Sequence, residues 1–195
     1  MKCELIIERD GKPIYRGKSK SFLRNFGLVL AGMLKNNGDG STTKNISGVI
    51  DTTGASQSVV VEAYNGSTVT WFKVMSMLSG DNDDSYGIIV GSGSDPVSPT
   101  DYKLASKISH GTSTGQLDYE THSVVSSYSD TSSYVEFSRT FVNKTSSDII
   151  VREVGIVALN ISNVRYLVVR DVLPAPVKVK PLGNLTVRYR VSLSM

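Results

Sequence analysis

The stretch GIIVGSGSDPVSPTDYKLASKI, Gly87 to Ile108, runs from apolar residues into a glycine loop, the order in which backbone amides can cradle a phosphate. A phosphate loop also needs a helix directly behind it and, in its commonest form, Gly-Lys-Ser/Thr. Gly91-Ser92-Gly93-Ser94-Asp95-Pro96 has neither lysine nor third glycine, and Pro96 and Pro99 interrupt the passage to a helix. The segment instead predicts a strand, a turn and a short helix. Ser98 would cap it, Pro99 would open it, Asp101 would reach back to a free amide, and Leu104 and Ile108 would anchor one face.

Other chemistry-bearing residues fall short for similar reasons. Asp81-Asn82-Asp83-Asp84 offers oxygens to a hard cation but lacks the glycine and distant glutamate of an EF-hand loop, so it reads as a solvated turn. His110 and His122 are the only histidines and Cys3 the only cysteine, with no zinc-ligand spacing among them; the histidines read as surface or loop residues. No Gly-x-Ser-x-Gly elbow occurs, and serine is too abundant for a Ser, His, Asp grouping to carry information. No cofactor, metal or catalytic residue is expected. Arg152-Glu153 and Arg170-Asp171 place opposite charges side by side in apolar strands, where they predict cross-strand or intersubunit ion pairs. Asn45, Asn65, Asn143, Asn160 and Asn184 head Asn-x-Ser/Thr sequons, candidate glycosylation sites if they lie in surface loops.

The elements that would position these residues are mostly strands. Arg9-Asp10-Gly11 between CELIIE and KPIYR predicts a tight hairpin, since Asp-Gly supplies positive φ. Phe22, Phe26, Val29, Leu30, Met33 and Leu34 then recur at helical spacing, with Ser19 or Ser21 as cap and Asn36-Asn37-Gly38 as stop. Gly27, Ala31 and Gly32 form a small-residue strip on that helix, whose first reading is core packing against a sheet. After the flexible loop NNGDGSTTKN come QSVVVEAY, STVTWFKVMSML, YGIIV, SYVEFSRTFV, SDIIVREVGIVAL and VRYLVVRDVL, rich in β-branched and aromatic residues. Val177, Val179, Leu185, Val187, Tyr189, Val191 and Leu193 hold odd positions against polar even ones, which predicts a terminal hairpin about Pro181-Leu182-Gly183-Asn184. The predicted class is mainly β: a two-sheet β-sandwich, jelly-roll-like or immunoglobulin-like, with the hairpin and one amphipathic helix. Residues 1–37, the hairpin and helix, would pack on a β-sandwich of residues 38–195, the two making one compact unit.

Composition narrows the function. With 39% hydrophobic and 20% charged residues among 195, the chain can bury one ordinary core. Residues 1–35 carry eight Lys/Arg against three Asp/Glu, and the remainder 13 against 15. This is polarity along the chain rather than the basic, aromatic-interleaved stripe of a nucleic-acid binder, so no direct nucleic-acid contact is expected. A lone cysteine excludes an intrachain disulfide. MKCELIIERD is no secretory signal and Phe22 to Leu34 is too short to cross a bilayer, so cytoplasmic synthesis without a membrane span is expected.

Five segments in order, SFLRNFG (Ser21–Gly27), IIVGSGSDPVSPTDYKL, SRTFVNKTSSDIIVREVGI, YLVVRDVLPAPVKV and GNLTVRYRVSL, resemble structural proteins of tailed bacteriophages and archaeal viruses. Gly38 to Ser85 carries none of these motifs. The resemblance implies a virion component of the tail, baseplate or neck, built on a β-sandwich, working in a ring or shell of its own copies beside other virion proteins. It implies no catalytic residue. Phe22, Arg24, Phe26, Arg152, Glu153, Arg170 and Asp171 are the candidate interaction residues. A second reading is a carbohydrate- or receptor-binding module stacking sugars on Trp71, Tyr64, Tyr86 and Tyr102. A hydrolase using His110 or His122 is the third.

Overall fold

Asp10 and Gly11 both take positive φ, 51° and 73°, and this reversal joins β1 (Lys2–Arg9) to β2 (Lys12–Lys18) as the Asp-Gly pair predicts. The computed structural model describes residues 2–19, 21–34, 43–65, 68–70, 75–129 and 132–194. Within them the fold is mainly β, with antiparallel sheets and one helix, α1 (Arg24–Leu34). The other strands are β3 (Thr43–Ile50), β4 (Ser56–Asn65), β5 (Thr68–Thr70), β6 (Gly87–Gly91), β7 (Asp118–Tyr119), β8 (Ser123–Tyr128), β9 (Ser132–Val142), β10 (Ile149–Leu159), β11 (Arg165–Val179) and β12 (Asn184–Ser194).

The N-terminal hairpin is part of the largest sheet rather than a unit laid upon it. That sheet runs β2-β1-β12-β9-β7, with β8 also paired to β9. β1 lies along β12 from Lys2↔Ser192 to Arg9↔Leu185, so the first and last strands are neighbours. A second sheet has the order β11-β10-β6, and a third β3-β4-β5. Leu5 and Ile7 of β1, Val187 and Tyr189 of β12, and Phe141 of β9 share one core with Ile88, Val90, Val154, Ile156 and Val169 of the second sheet. The near-continuous apolar runs of β6 and β10 follow from cover on both faces: the first sheet lies on one, the excursion 92–108 on the other.

The terminal hairpin does not form. The odd residues Val177, Val179, Leu185, Val187 and Tyr189 are buried as the alternation requires. Yet β11 pairs with β10, while β12 pairs with β1 and β9. Residues 180–183 therefore carry the chain from one sheet to the other, held by Leu182 N–H on the Asn143 carbonyl (2.8 Å) and Asn143 N–H on that of Gly183 (3.0 Å).

The helix also departs from expectation. Neither Ser19 nor Ser21 caps it: Ser19 Oγ donates to Asp171 (2.8 Å) and the Ser21 carbonyl accepts from Arg170 N–H. The helix opens instead at the Leu23 carbonyl, and the amides of Leu23 and Arg24 donate to the carbonyls of Val168 and Pro99. Its buried line is Asn25, Val29 and Gly32, with Asn25 Nδ2 on the Ile50 and Leu167 carbonyls and Oδ1 accepting Ile50 N–H. Gly27 and Ala31 are exposed. Its expected stop at residues 36–38 lies outside the described residues. β3, β7 and β8 have no counterpart among the predicted strands.

Candidate assembly surface

The charge pairs resolve into an internal centre. Arg170 stands opposite Gly155 in the β10–β11 ladder and reaches along it to Glu153, two residues away on β10 (Nε to Oε2, 2.9 Å). Glu153 is fully buried, and its carboxylate also accepts the amides of Gly93 (3.1 Å), Ala105 (3.1 Å) and Ser106 (2.8 Å). Arg170 sends Nη1 to Asp101 (2.7 Å) and Nη2 to the Asp95 carbonyl (3.0 Å). Burial opposes the charge on Arg170, but hydrogen bonds to Asp101 and Glu153 outweigh it and raise its pKa. The glycine loop does cradle an anion, and the anion is the protein's own Glu153. A Cβ on Gly93 would stand 2.5 Å from Glu153 Oε1, and one on Gly91 2.6 Å, which is why small residues are required there.

This centre also cancels the expected short helix. Ser98 N–H does donate to Asp101 Oδ2 (2.9 Å), the reciprocal capping contact, and Leu104 and Ile108 are buried. No helix follows, because Arg170 draws Asp101 and the Asp95 carbonyl onto the second sheet.

A second polar group closes the free edge of β6. Ile88 N–H donates to His122 Nε2 (2.7 Å), so the imidazole is neutral with its proton on Nδ1, which faces the Ser79 carbonyl at 3.0 Å. Burial first, and then the charge of Arg139, hold its pKa down to about 4. Arg139 is itself buried and donates to the carbonyls of Glu120 (2.7 Å), Ile88 (3.2 Å), Gly80 (3.0 Å) and Asp83 (2.8 Å), with its guanidinium over the Tyr119 ring. Asp81 to Asp84 is the turn expected: Asp83 accepts Ser85 N–H, and Asp84 accepts His110 N–H and pairs with Lys107. Nothing in the sequence marks His122 as a partner of β6; only its position beside the open edge makes it one.

Glu153, Arg170 and Asp171 are therefore corrected from interaction surface to interior. Asp171 accepts from Ser19 (2.8 Å) and Tyr189 (3.1 Å), tying the two sheets together. Glu153 and Arg170 form the cross-strand ion pair expected of these dipeptides, and Arg152, partly exposed, is outside it. Asn143 and Asn160 are corrected likewise. Both are buried with their amide nitrogens spent, Asn143 on the Ser147 and Val179 carbonyls and Asn160 on that of Val60. Asn45 is exposed and Asn184 partly so, while the side chain of Asn65 lies outside the described residues, as do Trp71 and the side chain of Tyr64. Tyr86 packs on the core and Tyr102 is partly buried.

Phe22, Arg24 and Phe26 do reach the surface. Because Asn25 and Val29 face inward, α1 leaves Leu30 and Met33 at 37% and 47% exposure, and Phe22, just ahead of it on the β11 edge, stands at 36%. Phe22 and Phe26 stack at 4.5 Å and line an apolar groove with Cys3, Met77, Phe137, Ile156, Tyr189 and Val191. Burial, then Asp171, pushes the Cys3 thiol up to about 11, so it is no reactive thiolate. From the groove the apolar face continues along the largest sheet: Cys3 opposes Val191, Val191 opposes Val135, and Phe137 opposes Val124. Val135 and Val124 are exposed. The strip thus runs without a break from Met33 to Val124.

The other face of this sheet is charged. Arg188 bridges Glu8 (2.9 Å) and Glu136 (3.1 Å), Arg190 joins Glu136 (2.7 Å), and Arg16 and Lys2 hold the Glu4 carboxyl down to about 2. A separate cleft of about 450 Å³ sits beside the 103–107 excursion, with Lys103, Lys107 and Arg165 around Ile89, Leu104 and Val157. Among the described residues, no His, Cys, Asp or Glu cluster is suited to a metal ion, and no helix is long and apolar enough to cross a membrane. No family model, curated protein or solved structure matches the chain.

Proposed function

We propose that this is a non-enzymatic structural protein of a virion, which assembles with its own copies and contacts other virion proteins in the tail, baseplate or neck. Its two main sheets are read as a β-sandwich extended by the N-terminal hairpin and α1. The observation that carries the reading is the apolar strip from Met33 through the Phe22–Phe26 groove to Val124, continuous with the core yet left open among the described residues. Apolar surface of this kind is normally covered by a partner, at about 25 cal/mol per Å² removed from water. The buried polar groups support the same reading, since Glu153, Arg170, Arg139 and His122 are all engaged by the fold itself. The ordered resemblance to virion proteins supplies the setting.

The test has two arms. Light scattering after size exclusion, at rising concentration and low salt, should show an oligomer that Leu30→Glu/Met33→Glu weakens without altering the far-ultraviolet spectrum. Purified particles should contain the polypeptide, and a reconstruction should place it in repeated copies. A monomer under all conditions, together with absence from particles, overturns the proposal.

A further inference from the structure

Among the described residues, every free edge in the two core sheets but one is guarded. The edge of β6 is closed by His122, Arg139 and the bridge from Gly91 to Lys107. That of β11 is covered from Arg165 to Arg170 by Thr52, Leu23, Phe22 and Ser21, and beyond them it carries Pro174 and Pro176. β7 is flanked by residues 109–111. β2 is blunted by Lys12, Pro13, Arg16, Lys18 and a register shift at Ile7/Glu8, the usual devices against strand addition. β8, SVVSSY, has none of these: it carries no charge and no proline, all six residues are exposed, and Tyr128 stands at 90% exposure.

We infer that β8 is the contact through which a second copy of this chain adds, β8 against β8 in antiparallel register about a two-fold axis, an inference resting on the self-assembly proposed above. A copy of itself is the occupant that the charges favour. Two uncharged β8 strands meet without repulsion, whereas two β2 strands would oppose Lys12, Arg16 and Lys18 to one another. Directly opposed residues share a face, so the register must be centred on a residue. Centred on Ser126 it sets Ser126 against Ser126, Val125 against Ser127, and Tyr128 over Val124. That last pair covers the most exposed aromatic among the described residues with the valine that ends the apolar strip, so the strips of the two copies become continuous. Backbone pairing supplies the affinity and this facing pair the register.

The contact is tested in a Cys3→Ala background. Ser126→Cys should give a disulfide-linked dimer under mild oxidation, because the two Cα atoms would lie about 4.5–5.5 Å apart. Ile14→Cys on β2 should not. Val125→Lys/Ser127→Lys sets like charges opposite each other and should raise the dimer dissociation constant at least tenfold. Mixing it with Val125→Glu/Ser127→Glu should restore a heterodimer. If the lysine variant assembles as wild type and Ser126→Cys does not cross-link, the β8 contact is overturned while self-assembly stands. A mixed disulfide between Ser126→Cys and Ile14→Cys chains overturns the two-fold pairing in favour of head-to-tail addition. A wild-type monomer at every concentration removes both self-assembly and the β8 contact, leaving presence in particles to be judged by itself.

Discussion

His122 gives the interior its sharpest measurable consequence. Its Nε2 must stay unprotonated to accept Ile88 N–H, and its pKa stands at about 4 in the fold against 6.5 for a free imidazole. Between those values the unfolded chain binds a proton that the folded chain refuses. The stabilisation is therefore complete above pH 6.5 and is lost as pH falls toward 4. The gap corresponds to about 3 kcal/mol, of which about 2 kcal/mol is gone by pH 5. Urea unfolding at pH 7.5 and 5.0, on wild type and His122→Gln, isolates the effect, since glutamine can still accept the amide but does not titrate. Wild type should lose about 2 kcal/mol more than the variant between the two pH values, roughly 1 M in midpoint at an ordinary slope for the urea dependence. With only two histidines in the chain, NMR can follow each directly. Parallel pH profiles, or a His122 signal titrating near 6.5 in the folded protein, would refute the reasoning.

Four further outcomes rest on the same structure. Glu153→Gln leaves Arg170 without its buried partner and should cost about 3–5 kcal/mol in denaturant unfolding. Asp148→Ala, which breaks the exposed 2.8 Å pair with Lys178, should cost under about 1 kcal/mol. Gly93→Ala drives a methyl into Glu153 and should cost about 1–3 kcal/mol, with faster proteolysis within residues 92–107. Arg16→Ala should move the Glu4 carboxyl up from about 2 toward the usual carboxylate range, read by NMR titration.

The line between what could be read in advance and what could not runs through particular residues. The Asp10-Gly11 reversal was legible because a backbone of positive φ is a local demand with few residue types to meet it. The apolar runs of β6, β9, β10 and β11 were legible as strands for a similar reason. β8 was not, since SVVSSY neither alternates nor buries a face, and β3 hid among Thr, Lys, Asn and Ser. Ser98 and Asp101 carried a true capping signal, but Arg170, far along the chain, decided that no helix would use it. The same distance hid the candidate site. Helical spacing placed Phe22, Phe26, Leu30 and Met33 on a core-facing stripe, whereas the carbonyls of Ile50 and Leu167 draw Asn25 inward and turn that row to the surface.

The sequence by itself determined which face Val177 to Lys180 and Leu185 to Arg190 would take, because side chains alternate with the pleat and every bond that sets the alternation is local. Only the tertiary structure decided whom the last two strands would pair with. Alternation is the same for any antiparallel neighbour, so β11 could join β10 and β12 could join β1, nearly the whole chain away, without changing one buried residue of the pattern. The same indifference left the Glu153–Arg170 pair and the open β8 edge invisible until the strands had partners.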